Sequence, residues 1–171
     1  MPASKGTAVN SIIPAALRPA IPVIPPSPAT PDSAWLASWH HRDFLELGAC
    51  ETAPRTARGV IRERLAAWDL GHFTDVAELV ATELITNSVG ATRQSAWEAS
   101  MPPVLLWLLG GDMGVAVLVW DGVPREPVQR EAADDDEGGR GLSIVAALSS
   151  RWDFYILSEP FWGKVTRAFI S

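Results

Sequence analysis

Apolar residues recur at a helical interval along "FTDVAELV" and "ATELITNSVGAT", residues 73 to 92. Val76, Leu79, Val80 and Leu84 fall on one face of a helix that turns once in about 3.6 residues. The same spacing places Glu83 and Asn87 along the middle of that face, so a carboxylate and a carboxamide are expected to point inward. Upstream, "DFLELGA" predicts a first strand. "TAPRTARGVIRERLAAWDLG" predicts a helix with Thr52 as its cap, Pro54 in its first turn and Gly71 past its end. Downstream, "PPVLLWLLGGDMGVAVLVWDG" reads as two strands joined by a short Gly-rich turn. "RGLSIVAALSS" reads as a short helix entered through glycines, and "RWDFYILS" and "GKVTRAFIS" as two further strands. The order of elements predicts a two-layer α/β sandwich, its helices on one face of a mixed, mostly antiparallel sheet.

The pattern fails before residue 32. Residues 1–31 hold eight of the fourteen prolines and no acidic residue, which predicts a disordered, polyproline-like tail ahead of a domain at 32–171. A chain of 171 residues suits one domain with a real core. A formal charge of −6 and a pI near 5.0 argue against direct nucleic-acid binding as the main function. The single Cys50 excludes an internal disulfide and fits a reducing cytoplasm. The runs "VLLWLL" and "VAVLVW" are too short to span a membrane as helices.

Three segments carry candidate chemistry. Glu83 and Asn87 lie one helical turn apart and are both oxygen donors. Nucleotide-bound magnesium takes only one or two protein ligands besides phosphate, and a carboxylate beside it can accept a proton from a nucleophile. A buried, hydrogen-bonded pair serving only structure explains the same residues equally well. In "VWDGVP", Asp121 closes an apolar strand and Gly122 follows it. Such an acid can accept a hydrogen bond from an amino group such as adenine's, although Asp-Gly commonly makes a simple turn. In "EGGRGLSIV", Gly138, Gly139 and Gly141 lead into a helix, and Arg140 lies among them. Free amides and the helix dipole there suit an anion. No Gly-Lys-Ser/Thr follows, so this is not a Walker A loop. The acidic run "EAADDDE" reads as a solvated loop or a lid.

Taken in order, "ELITN", "VWDGVPREP" and "GGRGLSIV" resemble the three nucleotide-binding boxes of the GHKL (histidine-kinase-like) ATPase superfamily. The resemblance covers roughly residues 42–170. Among the branches, the chain is most similar to stand-alone anti-sigma regulatory factor serine/threonine kinases of actinomycetes. It implies a Bergerat-type ATP-binding fold with ATP and Mg2+ as cofactors. Asn87 would hold magnesium and Glu83 would be the general base. Asp121 and Gly122 would lie at adenine, and Gly139, Arg140, Gly141 and Leu142 at the phosphates. Thr166 would lie near adenine, and residues 123–137 would form a lid. Two departures stand out: "SVGAT" follows the Asn where relatives often read Ala-Val-Arg-His-Ala, and "VTRAF" follows Gly-Lys where relatives often end Val-Trp.

The resemblance implies a cytoplasmic kinase that phosphorylates a small antagonist protein. The alternative is a non-catalytic module that sequesters a sigma factor or another regulator. A homodimer is an oligomeric state found among such regulators. A histidine kinase is not expected, because no dimerisation helix with an exposed phospho-acceptor His precedes the domain in this sequence. The tail reading yields a first prediction. A truncation beginning at Pro31 keeps the thermal midpoint of the full chain; a large fall would mean that the tail packs on the domain.

Overall fold

The computed structural model describes residues 38–97, 100–127, 141–158 and 162–171. The proline-rich tail, the acidic run, Gly139 and Arg140 lie outside the described residues. Five strands form one sheet in the order β1-β2-β3-β5-β4. They are β1 (His41–Leu47), β2 (Val104–Gly111), β3 (Gly114–Asp121), β4 (Arg151–Leu157) and β5 (Gly163–Ile170). Every pairing is antiparallel, so the expected mixed sheet is instead antiparallel throughout. Three α-helices accompany it among the described residues: α1 (Ala53–Ala67), α2 (Thr74–Gln94) and α3 (Gly141–Leu148). A short 3-10 turn at Gly71–Phe73 links α1 to α2.

The strands are apolar on both faces. "VLLWLL" lacks alternation, and its two sets of side chains go to opposite sides. Leu106 and Leu108 join Val115, Val117 and Val119 of β3 in the core shared with the helices. Leu105, Trp107 and Leu109 join Trp39, Leu118 and Val165 in a second apolar cluster on the other side. On the helix side, α1 contributes Ala57, Ile61 and Leu65, and α2 contributes Ala77, Val80, Ala81, Leu84 and Ile85.

Helix ends show where local chemistry overrides the sequence pattern. Pro54 falls in the first turn of α1, as its missing N–H and fixed φ favour. Thr52 does not cap the helix with its side chain. Its hydroxyl is instead engaged with the Cys50 sulfur at 3.2 Å. At the other end Gly71 is not the terminator. Asp69 takes the left-handed conformation at φ 62, and the Leu70 N–H donates to the Leu65 carbonyl at 2.8 Å to close the helix. Arg64, in the last turn, pairs with Asp43 of β1 and ties helix to sheet.

Two glycines set the sheet's turns. Gly114 begins β3 at φ 116 after the two-residue turn Asp112-Met113. Gly163 begins β5 at φ 130, and a Cβ there would overlap the Asp121 carbonyl oxygen and crowd the Trp120 indole. Gly163→Ala is therefore expected to destabilise the protein by about 1–3 kcal/mol. Urea unfolding checks this; an unchanged midpoint would show that β5 can begin in an ordinary conformation.

Candidate functional site

Helix α2 lies between α1 and α3 above the sheet. Ala77, Ala81, Leu84, Ile85, Ser88 and Thr92 form most of its buried side. On the α1 flank, Glu78 accepts a hydrogen bond from Arg62 at 2.8 Å, and Arg58 reaches Thr82 at 3.5 Å. Val80, Glu83 and Asn87 follow one another up the opposite flank, spaced by three and four residues. Glu83 and Asn87 are half-buried, and Leu79 is 42% exposed. The two polar residues thus sit at the edge of the buried face and not along its middle, a correction to the sequence expectation. Small Ala77 and Ala81 bring α2 down onto the sheet, while the large Leu79 that suggested the other face points away from it.

The edge position brings two of the sequence segments together. A Cβ on Gly141, the first residue of α3, would lie 2.6 Å from Glu83 Oε2. The absence of a side chain there lets the Glu83 carboxylate sit against the start of α3. Neither Glu83 nor Asn87 makes a side-chain hydrogen bond among the described residues. Glu83 is thereby in contact with the first described residue of α3, and Asn87 stands one helical turn away from Glu83. Leu142, the next residue, is 3% exposed and packs with Val145 in the core. Its side chain anchors α3 and leaves only its backbone to meet a ligand.

The third segment is built differently. Alternation along β3 carries Asp121 onto the helix side, after Val115, Val117 and Val119. Asp121 is 0% exposed. Its Oδ1 accepts the Val123 N–H at 3.0 Å. Lys164, directly across on β5 and 2% exposed, donates through Nζ to Oδ1 at 2.8 Å and Oδ2 at 2.6 Å. Gly122 follows beneath Pro102 and Trp97, either of which a Cβ would crowd. Thr166, also buried, pairs with Val119 two residues along the same strands. Lys164 is the residue that sequence reasoning missed. In the sequence Gly-Lys served only to mark the lead-in to the last strand, and the partner of Lys164 is visible only once the register of β3 and β5 is known.

A cavity of about 540 Å³ lies elsewhere, between the start of α1 and the C-terminal half of α2. Cys50, Pro54, Thr86, Val89 and Arg93 are among its lining residues; Glu83, Asn87 and Asp121 are not. Arg93 pairs with Glu51 at 3.1 Å across its mouth. Among the described residues no group of three His, Cys, Asp or Glu side chains is arranged to hold a metal, and no helix is long and apolar enough to cross a membrane. A scan against models of known protein families finds no match, and a search of curated proteins finds none either.

The Cys50 thiol titrates below its ordinary value, first because the Thr52 hydroxyl hydrogen-bonds the sulfur. A lowered value means more thiolate at a given pH. Alkylation of Cys50 by iodoacetamide is accordingly expected to begin at lower pH than for an unperturbed thiol. Thr52→Val is expected to move the profile back up; an unchanged profile in that variant would remove the hydroxyl as the cause.

Proposed function

We propose that the protein is a nucleotide-dependent regulator of the GHKL type. In this reading it binds a magnesium nucleoside triphosphate where α2 meets α3 and transfers the terminal phosphate to a serine or threonine of a small antagonist protein. ATP is the nucleotide that the family resemblance implies. The two-layer arrangement, with α2 lying on an antiparallel sheet, is compatible with a Bergerat-type fold. The observation that carries the reading is the contact of Glu83 with Gly141, one helical turn from Asn87.

The residues at this end suit a magnesium triphosphate. Asn87 offers a carbonyl oxygen, the kind of single protein ligand that nucleotide-bound magnesium accepts. The start of α3 offers backbone N–H groups and the positive end of a helix dipole to phosphate oxygens. Magnesium, when bound, would neutralise phosphate charge that the neighbouring Glu83 carboxylate would otherwise repel. Glu83 would then accept the proton of the attacking hydroxyl, as a carboxylate within hydrogen-bond reach can. The single cysteine and the acidic net charge are compatible with a cytoplasmic location and with a protein partner in place of nucleic acid.

Two substitutions separate binding from chemistry. Glu83→Gln keeps size and removes the base, so nucleotide affinity is expected to hold while phosphoryl transfer falls about 10²-fold or more. Asn87→Ala is expected to weaken binding mainly when magnesium is present. Calorimetry with and without magnesium, and labelled-nucleotide transfer to a candidate antagonist, measure both. Turnover untouched by Glu83→Gln would make Glu83 a structural residue. Binding of a regulator without any turnover in the wild type would favour the sequestering module.

A further inference from the structure

The side of the sheet away from the helices is shut off from water, and the described residues do not supply what shuts it. Strand register sets its side chains in rows. Leu109, Ala116 and Phe169 form the row nearest the β2–β3 turn, Trp107, Leu118 and Arg167 the next, and Leu105, Trp120 and Val165 the third. An antiparallel sheet with one solvated face shows polar residues there. Here Leu109, Ala116, Leu118 and Val165 are 0% exposed. Arg167 is 5% exposed, although a long charged side chain on a free face keeps its head in water. Its guanidinium is held instead by Asp153 and lies 5.3 Å from the Tyr155 ring centre. The helices pack into the cluster on the opposite side. Among described residues outside the strands, only Trp39 joins the apolar cluster on this side, and one indole does not cover three rows.

The course of the chain points to the cover. Ser38 passes so close to β2 that a Cβ on Gly111 would lie 2.7 Å from the Ser38 carbonyl oxygen. Trp39 stacks on Phe169 with 6.5 Å between ring centres. The chain before Ser38 therefore joins the domain at the first row of this face. Residues 32–37, "DSAWLA", lie outside the described residues and bring Trp35 and Leu36. Six residues reach about 20 Å when extended, and the third row is about 13 Å beyond the first, at two residues per row. Residues 159–161 join the strands at the opposite end, where Leu157 pairs with Gly163. Three residues reach about 10 Å, short of a first row about 20 Å away. Residues 128–140 carry the acidic run and end at Gly141 against Glu83, on the helix side.

We propose that residues 32–37 lie across this face with Trp35 over Leu118 and its neighbours, and that this segment closes the face to a second copy of the chain. Exposed Arg42 and Arg151, at the two ends of the first row, mark where the cover stops and solvent begins.

The test is NMR on the full chain with labelled methyl groups. Nuclear Overhauser contacts are expected from the Trp35 indole to the methyls of Leu109, Leu118 and Val165. A chain beginning at Pro31 is expected to keep them. A chain beginning at Ser38, and Trp35→Ala in the full chain, are each expected to lower the thermal midpoint by about 10 °C, the scale of losing one buried tryptophan in a domain of this size. Absence of any contact from residues 32–37 to these methyls overturns the proposal, as does an unchanged midpoint in the chain beginning at Ser38. Loss of the contacts in the chain beginning at Pro31 would give the cover to the proline-rich tail and overturn it too. Contacts seen only between chains in a mixed-label sample would give the face to a second copy, with the same consequence. If the chain beginning at Ser38 does not fold, the contacts in the full chain decide.

Discussion

A carboxylate with no exposure to water survives in a folded protein only if its charge is answered close by. Asp121 is answered by Lys164, and Lys164 can reach it only from the facing position on β5. That requirement constrains the register of the two strands. With Asp121 opposite Lys164, Val119 meets Thr166 and Val117 meets Ala168 on the helix side. A slip of β5 by one residue would turn Lys164 to the far face and break the pair, while also exchanging the two apolar sets of the strand. Charge pairing and apolar packing therefore select the same alignment, and the floor beneath α2 follows from it.

The candidate site grows from that floor. Alanines at 77 and 81 let α2 settle on β3, with Leu84 and Ile85 completing the contact. Leu142 and Val145 then seat α3 against the same core. With both helices fixed, Gly141 is brought against Glu83. Burial of apolar residues thus positions Glu83 and Asn87 at the edge of the buried face, half-exposed to solvent. The cavity by Cys50 and Arg93 lies on another side of α2 and shares none of this machinery.

Much of the fold was legible in the sequence because its elements carry strong local signals. The hairpin "VLLWLLGGDMGVAVLVW", the helix that Pro54 opens and the short helix after the glycines fall where the pattern places them, while β1 runs His41–Leu47 in place of 43–49 and the first helix ends at Ala67, short of Gly71. The side of α2 that faces the sheet was misjudged because large residues dominate a hydrophobic pattern. Leu79 is the exposed one, while Ala77, Ser88 and Thr92 are buried. The role of Thr52 was hidden by a competing sulfur two residues away. Of the candidate residues, the one-turn spacing of Glu83 and Asn87 is local and legible, whereas the approach of Gly141 to Glu83 depends on how two helices pack, which no local pattern encodes. Lys164 was not legible, because a contact across 43 residues depends on strand register that no local pattern encodes.

The claim on which the account turns is that the α2–α3 junction is the nucleotide site. Backbone and side-chain amide NMR shifts of the labelled protein, followed during titration with a non-hydrolysable magnesium nucleotide, test it most directly. The account predicts saturable shifts at the Gly141 and Leu142 amides and at the Asn87 carboxamide. Shifts confined to Val89, Gly90 and Arg93 around the other cavity, or no shifts at all, would contradict it.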